Sequence, residues 1–276
     1  YGPRIASQLS QPVRPFSRHG PTSRKVIAPQ VVTGAALVAS LALAVSGCSS
    51  SGTATGGAAA SPAASTPAPA ASAPASPSPV DHTLTKAALQ QALLTSAEVP
   101  AGFKASKPDK GEDMFGKADT TMPASCQPIA DIAANDAAIR PSAAVDQDYP
   151  QPAKASAMIF SRLVSYPAGD AEKAMTALKV AVKSCATYKS KSPDDGSTTR
   201  VQLAVQPGPA LGDDAVTLDA TGDVQGHALT IRLVDIRVGS SMAVFASLDV
   251  KAANVPAVPQ LLMAKQVEKL KAAATG

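Results

Sequence analysis

HALTIRLVDIRVGSSMAVFASLDV, residues 227–250, decides the fold. Both halves, 227–238 and 241–250, are rich in β-branched and large apolar residues, with Gly239-Ser240 between them. That composition describes two strands joined by a short turn. In the second half Met242, Val244, Ala246, Leu248 and Val250 occupy alternate positions. The two-residue strand period puts them on one face.

Working upstream, 214–221 reads as a third strand, with a turn at Thr221–Gly226. Thr198–Gln206 reads as a fourth, with Val201, Leu203 and Val205 inward and Arg200, Gln202 and Gln206 outward. Ala155–Tyr166 is a fifth, closed by Pro167. Helices are expected over 84–94, capped by Thr83 or Thr85, and over about 126–139, 170–183 and 257–273. The clearest is 170–183, where Ala171, Ala174, Met175, Leu178, Val182 and Cys185 recur at helical spacing. Residues 107–125, 141–152 and 191–197 carry Pro, Gly and Asp and read as loops. The expected fold is α+β, a mostly antiparallel five-stranded sheet with helices packed chiefly on one face. Nothing repeats as strand–helix units, which excludes a doubly wound sheet.

Ahead of this domain, residues 26–47 carry no charge and follow Arg24-Lys25. A basic head, an apolar middle and small exit residues make up a secretory signal. The run ends Val45-Ser46-Gly47-Cys48, which resembles the bacterial lipobox. That resemblance implies a diacylglycerol on the Cys48 thiol, with palmitate among its fatty chains, and cleavage that then frees the Cys48 amino group. An uncleaved transmembrane anchor is the competing reading, since the run is about long enough to span a bilayer; a buried core helix is another. Pro29, the small exit residues and the polar tract that follows argue against both. Residues 1–47 are thus an N-terminal extension and lipoprotein signal.

Residues 48–80 are the acylated Cys and a linker that, from 49 on, contains only Ser, Gly, Thr, Ala, Pro and one Val. Such a tract cannot bury enough surface to offset the entropy of ordering it. It spans roughly 30 Å as a coil and about 100 Å if stiffened by Pro. Residues 81–276 then form one domain, large enough for a core of its own.

The basic balance belongs to the leader. Residues 1–47 hold five basic residues and no acid, leaving 20 basic against 21 acidic side chains in the rest. A nucleic-acid surface needs a basic stripe; none is present, and with no Trp and few aromatics stacking on bases or sugars is poorly served. The expected partner is the membrane, through Cys48, at the extracytoplasmic face.

Cys126 and Cys185 remain for an oxidising compartment, where paired thiols close. A bridge between them would fasten the 126–139 helix to the 170–185 helix. Two free buried thiols are the rival reading; metal binding is disfavoured because no His or Cys lies at ligand spacing nearby.

Catalytic signatures are absent from the sequence: no Gly-x-Ser-x-Gly, Ser-x-x-Lys, His-x-x-x-His or Walker-type loop occurs. No enzyme and no cofactor are expected. His227 would need a nucleophile and an orienting acid converging on it. Asp194-Asp195 lies in a Pro/Gly turn, where Asp commonly binds backbone amides. Asp213 and Asp214 follow Leu211-Gly212, as turn caps or as ligand contacts. Asp235 and Arg237 share a strand face with Leu233, as an ion pair on a partly exposed face or as a cleft lining. These four are the candidate ligand-binding residues.

From about Leu84 onward the order of features resembles a family of actinobacterial envelope lipoproteins similar to the extracellular sensor domain of the mycobacterial kinase PknH. The features are Leu93-Leu94-Thr95-Ser96-Ala97-Glu98-Val99-Pro100-Ala101-Gly102-Phe103, then Cys126, the Ala-rich helix ending in Cys185, Leu211-Gly212-Asp213-Asp214, the strand Val234–Gly239 and a closing helix. The resemblance implies a central antiparallel sheet with a cleft for a small ligand. The family pattern has two disulfides, whereas this chain has Cys for one. A PsbP-like α/β/α fold is the structural alternative. The functional expectation is a non-catalytic envelope domain binding a small ligand or peptide, with docking on another envelope protein as the alternative.

Overall fold

The computed structural model describes residues 82–109, 114–224, 226–251 and 255–275. The expected leader, Cys48 and the linker lie outside the described residues. The strands are β1 (Thr120–Met122), β2 (Ala143–Pro150), β3 (Ala157–Ser165), β4 (Thr187–Lys191), β5 (Thr198–Gln206), β6 (Asp214–Val224), β7 (His227–Val238) and β8 (Ser241–Asp249). They form one antiparallel sheet in the order β1-β4-β5-β6-β7-β8-β3-β2. The helices are α1 (Lys86–Ala92), α2 (Gln127–Asp131), α3 (Asp170–Ser184) and α4 (Gln260–Thr275), with a 3-10 turn at Ala124–Cys126 leading into α2.

The β6–β7–β8 meander is the middle of the sheet, and its residues divide by parity between two cores. Met242, Val244, Ala246 and Leu248 of β8 join Ile129, Met175 and Leu178 of α2 and α3. Ala243 and Phe245 point the other way, to Leu89 of α1 and to Leu262, Val267 and Leu270 of α4. Every residue of β8 is buried. The sheet is a middle layer with helices on both faces, each buried aliphatic side chain contributing roughly 1.5–3 kcal/mol.

This corrects the expected fold class: the sheet has eight strands, not five, and its helices do not favour one face. Three strands, β1, β2 and β4, lie outside the five expected. In β2, Val145, Gln147 and Tyr149 face α1 and α4, while Asp146 and Asp148 take the other face. Two acids inside eight residues disguise the alternation. β4 alternates around buried Tyr188 and Ser190 but is short, and β1 has three residues.

Smaller corrections follow the same pattern. The helix expected over 126–139 stops at Asp131, because Ile132 turns extended and Ala133 enters the left-handed region at φ 60°. On β5, Val201 is buried and Leu203 half-buried, but Val205 is 60% exposed, since the first core thins out toward that strand.

Local signals place the helices. Thr85 caps α1, its hydroxyl accepting from the Ala88 N–H at 3.2 Å. The carbonyls at the other end, which have no partner within the helix, are met by other elements. Gln266 Nε2 donates to Ala92 O, Lys269 Nζ to Leu93 O and Gln147 Nε2 to Leu94 O. In α3, Asp170 and Glu172 sit in the first turn and Lys183 in the last, matching the helix dipole.

Candidate functional site

Strand pairing sets one row of side chains on the α3 face: Asp146 of β2, Arg162 of β3, Val244 of β8, Asp235 of β7 and Val216 of β6. Arg162 interrupts an apolar strand and is 2% exposed. Its Nε donates to Asp146 Oδ1 at 2.6 Å and its Nη2 to Asp146 Oδ2 at 2.9 Å, a bidentate pair. Its Nη1 reaches the carbonyls of Phe115 at 3.0 Å and Ala133 at 3.1 Å, and Asn135 Oδ1 at 3.4 Å. The guanidinium also lies over the Phe115 ring, 5.7 Å from its centroid. One buried cation thus sews residues 115–135 to the sheet and holds Ala133 in its left-handed conformation.

Beside this pair opens a cleft of about 650 Å³, lined by Thr83, Lys86, Asn135, Ser142, Asp146 and Arg162 among others. Its walls come from three places. Thr83 and Leu84 are pinned where β3 ends, Thr83 Oγ1 donating to Tyr166 O and Ser165 Oγ accepting from the Leu84 N–H. Asn135 follows α2, and Ser142–Asp146 is the start of β2. The cleft is open and polar.

The four expected ligand contacts do not come together. Asp213 and Arg237 meet, with Arg237 Nη1 3.4 Å from Asp213 Oδ2, and the same oxygen accepts from the Gly239 N–H at 2.6 Å. These bonds tie the turn before β6 to the β7–β8 turn. Gly212 permits the approach, because a side chain there would strike the Arg237 carbonyl, and its φ of 70° suits glycine. Asp214 turns instead to α3, with Lys179 Nζ 3.0 Å from both carboxylate oxygens.

Asp235 is not paired with Arg237. It is fully buried between Val216 and Val244, and neither carboxylate oxygen has a hydrogen-bond partner. Burial pushes its carboxyl up to about 7. The nearby Tyr166 phenol is likewise pushed up, chiefly by burial, with Asp235 adding to the effect.

Asp194 and Asp195 serve their turn: Ser197 N–H donates to Asp195 Oδ1, which holds that carboxyl below its ordinary range. His227 is exposed at the start of β7. Among the described residues no three His, Cys, Asp or Glu side chains are placed to hold a metal ion. Cys126 and Cys185 form a disulfide, closing the 3-10 turn before α2 onto the end of α3. The cleft residues were not among the sequence candidates, although a lone Arg within Met158–Val164 was a signal for them.

No helix among the described residues is long and apolar enough to cross a membrane. No family model matches the chain, and no curated protein matches it. Among solved structures, it is similar to the extracellular domain of PknH from Mycobacterium tuberculosis, at 14% identity and a TM-score of 0.49, over 71% of this chain and 100% of that one. It is similar also to an uncharacterized protein of Mycobacterium smegmatis, the Rv0999 ortholog, at 12% identity and a TM-score of 0.33, over 70% of this chain and 96% of that one.

Proposed function

We propose that this chain is an envelope lipoprotein, held at the extracytoplasmic face of the membrane by acyl chains on Cys48. Its domain takes a small ligand or peptide in the Arg162–Asp146 cleft without chemical change. The observation that carries the binding role is the cleft, whose volume of about 650 Å³ falls in the range of small-ligand sites. The Arg162–Asp146 pair in its lining is already neutralised, so a ligand meets Lys86, Asn135 and Ser142 as its polar partners. The sequence supports the address through the signal-like leader and the lipobox-like Val45–Cys48. A flat docking face is less well supported. Among the described residues the large exposed apolar side chains, Met122, Val180, Val205, Val250 and Leu261, are carried by five separate segments.

Two measurements test the two halves. Mass spectrometry of the membrane fraction should find the Cys48 peptide acylated, and Cys48→Ala should release the protein from membranes. For the cleft, nuclear magnetic resonance titration with short cell-wall peptides and envelope sugars should shift Lys86, Asn135 and Ser142, and Lys86→Glu should weaken the response. Unmoved resonances at all three positions across the whole set would end the cleft reading.

A further inference from the structure

We infer that the free edge of β2 is a strand-addition site, at which an extended peptide lying in the cleft pairs antiparallel with Ala144 and Asp146. This names the ligand class for the cleft proposed above and rests on that reading. β2 pairs on one side with β3 along its whole length. On its other side, Ser106 exchanges both backbone hydrogen bonds with Asp148, each at 2.9 Å. Asp148 therefore directs its N–H and C=O away from β3. In an antiparallel pair that direction alternates from residue to residue, so Asp146 and Ala144 point their backbone groups outward as Asp148 does. Among the described residues the backbone bonds on that side are this bridge and that from Lys104 N–H to Pro150 O at 3.1 Å, and none reaches Asp146 or Ala144. The cleft lies against Ala143, Ala144 and Asp146, the part of the edge left open.

The opposite edge of the sheet is closed differently. On β1, the Thr121 N–H donates to Gln127 Oε1 at 2.9 Å, so a side chain already occupies the backbone there. A sheet edge with unpaired amides and carbonyls is a template for another strand. The groove around β2 selects what can use it. Lys86, Asn135 and Ser142 offer polar contacts, and Asp146 is already engaged with Arg162. The occupant that fits is a short extended peptide with polar side chains and a carboxylate for Lys86.

The test begins by panning a random heptapeptide library against the purified protein. The best binder is then remade with each backbone nitrogen methylated in turn. Strand addition requires a period of two: methylation at alternate positions weakens binding roughly tenfold, and methylation between them leaves it unchanged. Ala144→Pro removes an outward N–H without touching the β2–β3 ladder, and should abolish binding at an unchanged melting temperature. If that variant does not fold, the methylation series decides alone. A binder that shifts Lys86 and Asn135 with no alternation overturns strand addition while leaving the cleft a binding site, as does a library with no binder where a small envelope compound still shifts them. If neither peptides nor compounds move those resonances, the cleft reading fails as well.

Discussion

Arg162 and Asp235 stand in one row across one face of the sheet, separated by Val244, and they show two ways to bury a charge-bearing group. Around Arg162 the chain supplies a carboxylate, two carbonyls, an amide oxygen and an aromatic face. Around Asp235 it supplies valines. The first arrangement is a closed ion pair that fixes the loop walling the cleft. The second holds its carboxyl near the point of titration. The difference teaches that a buried ionisable residue is a staple where partners converge and a liability where they do not.

The sharpest way to break the comparison is Arg162→Ala. It leaves Asp146 without its cation and three acceptors unmet, and should cost roughly 3–5 kcal/mol in a urea titration. A loss below about 1 kcal/mol would show that the network is not what holds residues 115–135. Replacing both Cys126 and Cys185 by Ser frees the clamp at the end of α3. The chain-entropy account gives a loss of about 4 kcal/mol for a bridge spanning 59 residues, readable as a lowered midpoint.

Asp235 should behave in the opposite sense. A carboxyl raised in the folded state favours folding while protonated, so its contribution is whole below about pH 4 and is lost as pH rises through about 7. Stability should therefore fall by roughly 2–3 kcal/mol between about pH 5 and pH 8. Asp235→Val, which continues the row of valines, should remove that slope and raise stability at neutral pH by roughly 2 kcal/mol. A wild-type profile flat across this range would mean that Asp235 finds a partner in solution.

The smallest effect is expected at Glu98, held at about 2 by the Thr95 N–H and hydroxyl and by Lys269. Its depressed carboxyl supports the fold above the ordinary carboxylate range and loses that support as pH falls toward 2. Lys269→Met should lower stability slightly at neutral pH and flatten the acid limb, the gap from the wild type narrowing as pH falls toward 2.

The central strands and the two long helices were legible because their apolar residues keep one period for nine residues or more. β2 was hidden by Asp146 and Asp148, and Asp146 finds its partner sixteen residues away in Arg162. No local pattern announces such a partner. That helices cover both faces of the sheet was hidden for another reason. β8 is apolar without a break from Met242 to Ala246, and attention to Met242, Val244, Ala246 and Leu248 left Ala243 and Phe245 without a core to enter. Their apolar character was the sign of a sheet covered twice. Asp213 precedes β6 and Asp214 begins it, and sequence adjacency did not send them to one partner: one caps the β7–β8 turn and the other reaches α3.

The bonds from Thr83 to Tyr166 and from Leu84 to Ser165 attach the start of the domain at the lip of its own cleft. Thr83 and Leu84 are therefore at once the entry of the chain into the domain and a wall of the cleft. Whatever displaces the one reshapes the other.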